Sequence, residues 1–347
     1  MARRPAPKPI NLALQGGGSH GAFTWGVLDR LLADDRLKIE AISGTSAGAM
    51  NAVALADGFV RGGPEGAREQ LDAFWKAVSK SARYSPVRRS LVDRLLGSWS
   101  LDRSPGYHIF DALTRVVSPY QINPLNMNPL RDLIAESVDF DCVRSCQAIR
   151  LFISATNVET GRVKVFHGHQ LTADMVMASA CLPNLFQAVV IDGVPYWDGG
   201  YMGNPSLFPF FYGSQCSDVV IVQINPIERK GVPRTASEIQ NRINEIAFNS
   251  SLLKELRSVD FVTRLVEDGR LDASEYRRVR MHLMHNQDAL IPLGASSKSN
   301  AEWKFLTHLR DIGRSTAEAW LEVNFDHIGK RDTVDVRAMF QGVDSAD

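Results

Sequence analysis

The stretch Ile39-Glu40-Ala41-Ile42-Ser43-Gly44-Thr45-Ser46-Ala47-Gly48-Ala49-Met50-Asn51 constrains this chain more than any other. A short apolar run enters a G-x-S-x-G turn and leaves it in a helix-forming segment, which demands a strand, a sharp elbow and a helix in that order. At such an elbow the serine takes a strained backbone conformation that exposes its hydroxyl, and the turn leaves no room for side chains two residues either side. Gly44 and Gly48 fill those two places, so Ser46 is the candidate nucleophile. The helix expected over residues 47–56 aims its N-terminus at the centre where acyl transfer develops negative charge.

A second glycine cluster lies upstream. Asn11-Leu12-Ala13-Leu14 reads as a buried strand, and Gln15-Gly16-Gly17-Gly18-Ser19-His20-Gly21 follows it, before an apolar helical face of Phe23, Val27, Leu28, Leu31 and Leu32. Consecutive glycines let successive N–H groups converge on one oxyanion, which makes Gly16, Gly17 and Gly18 the oxyanion-hole candidates. Gly16, Gly18 and Gly21 also fit the G-x-G-x-x-G of dinucleotide-binding folds. The acid that should end the second strand is missing, because that strand ends in Gly44-Thr45-Ser46. The opening unit, strand-loop-helix-strand-elbow-helix, predicts an α/β fold: a central, mostly parallel sheet covered by helices on both faces, with the site at the strands' carboxyl ends.

Residues 58–137 read as helices punctuated by Pro and Gly. Ala67, Leu71, Phe74, Trp75 and Val78 form one apolar face, Ile109, Phe110, Leu113, Val116 and Val117 another, and Asn128 with Pro129 opens a third helix. Packing on the core is the plainer expectation for these faces; a cap that covers the serine and shapes a lipid channel is the functional one. Residues 150–156 read as a central strand with residues 162–166 beside it, and Thr172 caps a helix through Ser179. Residues 187–191 and 194–197 flank the hairpin dipeptide Asp192-Gly193, and the second arm delivers Asp198 at its end. Residues 218–224 form the next strand. Beyond Pro226 come a polar helix over residues 236–266, a short strand at 281–284 and a helix over 301–321. Leu207-Phe208-Pro209-Phe210-Phe211-Tyr212 is either core or an apolar rim that dips into lipid.

In these residues the chain resembles the patatin-like phospholipases, a family of lipid acyl hydrolases. The family's glycine triplet, G-x-S-x-G elbow and later D-G-G stand here as Gly16-Gly17-Gly18, Gly44-Thr45-Ser46-Ala47-Gly48 and Asp198-Gly199-Gly200. Residues 154–161 and 178–183 extend the likeness, which covers about residues 10–225. The resemblance implies a three-layer catalytic domain over 10–225 with a helical cap insertion at 58–137, a mainly helical C-terminal extension at 226–330, and a polar tail at 331–347. It also implies that Ser46 attacks a lipid carboxylic ester, that Gly17 and Gly18 hold the oxyanion, and that Asp198 takes the serine proton and later activates water. Neither metal nor cofactor is invoked. The chain departs from the family at His20, where members usually carry Arg or Lys.

Composition narrows the partners. Thirty-nine basic and thirty-nine acidic side chains cancel, and no basic block or basic-aromatic interleaving of the nucleic-acid-binding kind occurs, so nucleic acid is not an expected partner. The four cysteines are too few for a disulfide scaffold in 347 residues, and Cys142 with Cys146 lacks the second ligand pair of a zinc site. Residues 1–9 are basic and Pro-rich without an apolar signal region and read as a disordered leader. The most apolar uncharged run, residues 175–191, falls short of the ~20 needed to span a bilayer. A cytoplasmic protein with a lipid ester substrate and peripheral contact with membranes is the expectation. Two rivals stand beside it: a Ser-His transacylase using His167 or His169, and a non-catalytic lipid-docking protein. His282 and His285 sit too near an ordinary strand end to be singled out.

Overall fold

A computed structural model describes residues 6–85, 87–90, 93, 97–272 and 275–341. Eight strands build one sheet: β1 (Lys8–Leu14), β2 (Leu37–Gly44), β3 (Arg150–Asn157), β4 (Val163–His167), β5 (Val189–Ile191), β6 (Val194–Asp198), β7 (Asp218–Val222) and β8 (Arg280–Met284). Their order is β5-β6-β3-β2-β1-β7-β8, with β4 paired to β3. The segment from β3 to β8 in that order is parallel, whereas β4 and β6 attach to β3 antiparallel. One register matters for function. β2 accompanies β3 only as far as Gly44 opposite Ile153, and β6 takes up the pairing beyond, with Asp198 opposite Ala155. The elbow that ends β2 and the aspartate that ends β6 therefore meet.

Strand residues alternate between two cores, as the two-residue period of a strand requires. Leu12, Leu14, Val220 and Val222 enter one, while Ala13, Val219 and Ile221 enter the other. Helices α1 (Gly21–Leu32) and α2 (Ala47–Ser81) belong to the first core. The expected stop near residue 56 is not observed: α2 runs on through a break at Gly62 and Gly63, followed by Pro64, and Ala67, Leu71, Phe74 and Trp75 of its second half are buried in the same core. Next come α3 (Pro105–Val116) and α4 (Pro129–Ser137), whose Asn128 cap accepts from Arg131 N as the Asn-Pro pair predicts. α5 (Ala236–Glu267) supplies Leu252, Leu256 and Val259 to the second core. α6 (Trp303–Asn324) lies against α1, and α7 (Val336–Gln341) against α5.

The region beyond residue 226 is built into the sheet rather than appended to it. β8 pairs along the whole of β7. α6 crosses α1 at reciprocal glycines: a Cβ on Gly26 would sit 1.9 Å from Arg310 O, and one on Gly313 2.1 Å from Phe23 O. The leader and the tail also change. Lys8 and Pro9 already belong to β1, and Val336, Met339 and Phe340 pack on the second core, because the polar tail hides an apolar face on a short helix. Residues 1–5 and 342–347 of these segments lie outside the described residues.

Candidate active site

Ser46 sits at φ 53°, ψ −120°, the strained geometry a nucleophile elbow imposes on a residue with a side chain. Glycines permit the turn: a Cβ on Gly44 would meet Gly48 O at 2.6 Å, and one on Gly48 would meet Leu14 O at 2.3 Å. The elbow is tied down on three sides. Thr45 Oγ1 donates to Gly203 O at 2.6 Å, Thr45 N to Leu14 O at 3.3 Å, and Ser46 N to Ser179 Oγ at 2.9 Å.

Asp198 is 1% exposed and lines the same cavity as Ser46, whose hydroxyl helps to lower the carboxyl's pKa. Its Oδ1 also accepts Gly200 N–H at 2.7 Å. Burial pushes its pKa up to about 7, against the smaller lowering effects of the Gly200 and Ser46 hydrogen bonds and of the Lys298 charge. A carboxylate poised there is a far better proton acceptor than one in water.

The three loop glycines divide their work. Gly16 N–H is consumed by Asn204 Oδ1 at 2.7 Å, which removes it as an oxyanion donor. Gly16 serves proximity instead, since a Cβ there would lie 2.6 Å from Ser46 Cβ. The N–H groups of Gly17 and Gly18 have no acceptor among the described residues, and both residues line the cavity with Ser46. Gly18, at φ +59°, takes the left-handed conformation that turns the loop.

His20 is buried, with its ring edge-on to Phe305. Ser297 Oγ donates its proton to Gly294 O at 2.7 Å, so His20 Nε2–H is the donor in the 2.7 Å contact with Ser297 Oγ. Burial first, then the nearby Lys298 charge, lower its pKa to about 3. With a pKa lowered so far, His20 is neutral near pH 7 and does not supply the positive charge that the family resemblance would place at this position. His167 and His169 are exposed; His167 lines a separate depression with Arg150 and Phe152, and neither lines the cavity of Ser46. His282 is spoken for structurally, bonded to Asp218 Oδ1 and Thr333 Oγ1, each at 3.0 Å.

Under the loop runs a buried amide network that the sequence did not disclose. Gln15 Oε1 accepts from Ile224 N at 3.0 Å and Asn225 N at 2.9 Å, and Gln15 Nε2 donates to Asn249 Oδ1 at 3.1 Å. Asn225 Nδ2 donates to Gly16 O at 2.6 Å. Buried amides of this kind hold a loop rigid only when their partners are present, and here the partners come from β7's exit and α5. Spacing cannot announce them, because they are isolated Asn and Gln residues scattered over more than 200 positions.

Ser46, Asp198 and the glycine loop open on one cavity of about 520 Å³. Its walls mix apolar side chains, among them Phe74, Trp75, Leu130, Phe186 and Phe248, with residues of α3 and α5. α3 departs from the core-packing expectation: Ile109, Phe110, Leu113 and Val116 are exposed, Val116 at 84%. On α5, Ile239, Ile243 and Ile246 are exposed one helical turn apart. The segment 207–212 is divided: Leu207 and Phe210 are buried in the second core, whereas Phe208, Phe211 and Tyr212 are exposed, and none of the six lines the cavity of Ser46.

The model of the family described as patatin-like phospholipase matches residues 12–211. No curated protein matches the sequence. Among solved structures the chain is similar to VipD from Legionella pneumophila, at 15% identity and a TM-score of 0.35, covering 88% of this chain and 67% of that one. It is also similar to the type III effector ExoU, at 13% identity and a TM-score of 0.35, covering 92% of this chain and 53% of the other. Full-length ExoU from Pseudomonas aeruginosa in complex with SpcU gives 14% identity, a TM-score of 0.34 and coverages of 92% and 54%. The chain thus spans about two thirds of VipD and about half of ExoU.

Proposed function

Since the chain belongs to the patatin-like phospholipase family, we propose that it is a serine acyl hydrolase of lipid carboxylic esters, of the phospholipid and lysophospholipid class, working through Ser46 and Asp198. The observation that carries this reading is the buried aspartate that shares one cavity with a serine in elbow geometry and has its pKa pushed up to about 7. Ser46 Oγ attacks the ester carbonyl as its proton passes to Asp198. The tetrahedral oxyanion forms against Gly17 and Gly18 N–H, donors that need no reorganisation at the moment of reaction. Protonated Asp198 then gives its proton to the departing alcohol oxygen, leaving an acyl-serine. Water, deprotonated by Asp198, cleaves that ester and restores Ser46.

The exposed apolar residues of α3 and α5 support a lipid surface as the source of substrate. Both helices line the cavity, through residues such as Phe110 and Phe248, and the same helices expose Ile109 and Ile243 to solvent. No helix among the described residues is long and apolar enough to cross a membrane. A fluorophosphonate probe tests the mechanism: it should label Ser46, and Ser46→Ala should abolish both labelling and ester hydrolysis. Asp198→Asn, shown to be folded, should lose a factor on the order of 10²–10⁴ in kcat, the usual contribution of a positioned base. His167→Ala and His169→Ala should keep most activity; a dead histidine variant beside an active Asp198→Asn would replace this reading with the Ser-His one.

A further inference from the structure

Lys298 lies outside the span that the family model matches, yet it lines the cavity with Ser46 and Asp198. Its Nζ donates to Asn225 Oδ1 at 2.7 Å, and Asn225 is the residue that also holds Gly16 O. A Cβ on Gly17 would lie 3.5 Å from that same Asn225 oxygen, and one on Gly18 3.4 Å from Lys298 Cβ. The lysine thus runs along the glycine loop and ends beside it. Among the described residues no carboxylate pairs with the ammonium. Glu245 is engaged by Arg229 and Arg242, and Asp198 by Gly200 and Ser46.

We propose that Lys298 is the cation of an anion subsite at the glycine loop, where it holds a negatively charged oxygen of the lipid ester, either the oxyanion of the attacked carbonyl or a head-group phosphate. The proposal rests on Ser46 being the nucleophile. A cation whose hydrogen-bond partner is a neutral amide has its charge in reserve for a ligand, and in a partly dry cavity that charge acts strongly. Burial pulls the ammonium below the usual lysine range, Arg229 adds to that, and Glu245 and Asp198 oppose it, so an arriving anion stabilises the charged form.

The groups that face Asp198 are Ser46, Lys298, Cys181 and Tyr201; the last two stay neutral, with pKa values pushed up to about 12 by burial. Lys298 is therefore the charge that lowers the aspartate's pKa.

The experiment compares wild type, Lys298→Gln and Lys298→Arg on a short-chain phosphatidylcholine and on 4-nitrophenyl butyrate, with fluorophosphonate labelling of Ser46 in parallel. Lys298→Gln keeps a donor for Asn225 and removes the charge. It should lose about 10²-fold in kcat/KM, and the pH at which activity is half developed should move upward. Lys298→Arg should retain most of the rate. Loss on both substrates identifies the oxyanion as the ligand; loss on the phospholipid alone identifies the phosphate. Near wild-type rates for Lys298→Gln on both substrates, or equal damage in the two variants with no movement of the pH profile, would overturn the proposal. Absence of Ser46 labelling in wild type would instead remove the reading on which it rests.

Discussion

Asp198 is held where its charged form is costly, and two measurable consequences follow at the residue scale. The first concerns rate. The base must be ionised, so hydrolysis of a short neutral ester should rise with pH through a midpoint near the aspartate's pKa of about 7. A His20→Gln variant should keep that midpoint, because a ring whose pKa is lowered to about 3 does not titrate there; a midpoint displaced by a full pH unit would show that His20 titrates with the site. The second concerns stability. An unfolded aspartate ionises near 3.9, so between that pH and about 7 the folded state binds the extra proton, and stability falls as pH rises through the window. Asp198→Asn should accordingly raise the melting temperature at pH 8 relative to wild type, by at most about 4 kcal/mol in free energy, and bring little gain at pH 4. Equal melting shifts at both pH values would contradict this. Residue-level chemistry was the most legible layer of the sequence. Ser46, Gly44, Gly48 and Asp198 lie in short motifs whose spacing carries a mechanism, whereas Lys298, Asn204 and Asn225 act through tertiary contact and have no local signature. Gly16 was read as a donor because a glycine triplet advertises three N–H groups; what consumes one of them is a side chain 188 residues away.

At the scale of elements, periodicity told which segments are helices and which faces are apolar, but not what those faces meet. The stripes at 67–78 and 109–117 look alike in sequence; one is buried and the other stands in the open. The difference lies in where the chain places each helix, and on the proposed function an exposed apolar face on a helix that also lines the cavity is a candidate contact surface for lipid. Ile109→Ser with Val116→Ser should lower hydrolysis of phospholipid in vesicles severalfold while leaving 4-nitrophenyl butyrate hydrolysis intact; equal losses on both would place α3 in the core instead. A tighter constraint holds between α1 and α6. Gly26→Val puts a side chain into Arg310 O, so the helices must separate, at a cost of about 1–3 kcal/mol or more. Urea unfolding should show the midpoint fall with the m-value unchanged. Arg30 with Glu318 and Arg314 with Asp29 span the same junction, each with one partner about half exposed to solvent, and should each contribute less.

At the scale of the whole molecule, the first and last described parts of the chain pack into the same two cores. The alternation of strands and helices made the α/β sheet legible, but a five-residue strand such as β8 gives no sign of which edge it will join. The C-terminal region therefore looked like an extension when it is a wall. Cutting the chain after Asn225 removes β8, α5 and α6 together, exposing one side of β7 and the buried face of α1. The truncated protein should be insoluble or lack fluorophosphonate labelling, and a folded, labelling-competent 10–225 fragment would show the catalytic region to be autonomous.

The contact between His20 and Ser297 joins residues 277 positions apart, and it sets a timetable. A ribosome adds roughly 5–20 residues each second, so Ser46 is made on the order of 10–50 s before Lys298 reaches the peptidyl-transferase centre. Through that interval the nucleophile exists without Ser297 and Lys298 beside its glycine loop. The glycine loop therefore gains its His20–Ser297 and Asn225–Lys298 contacts only when nearly 300 of the 347 residues have been synthesised.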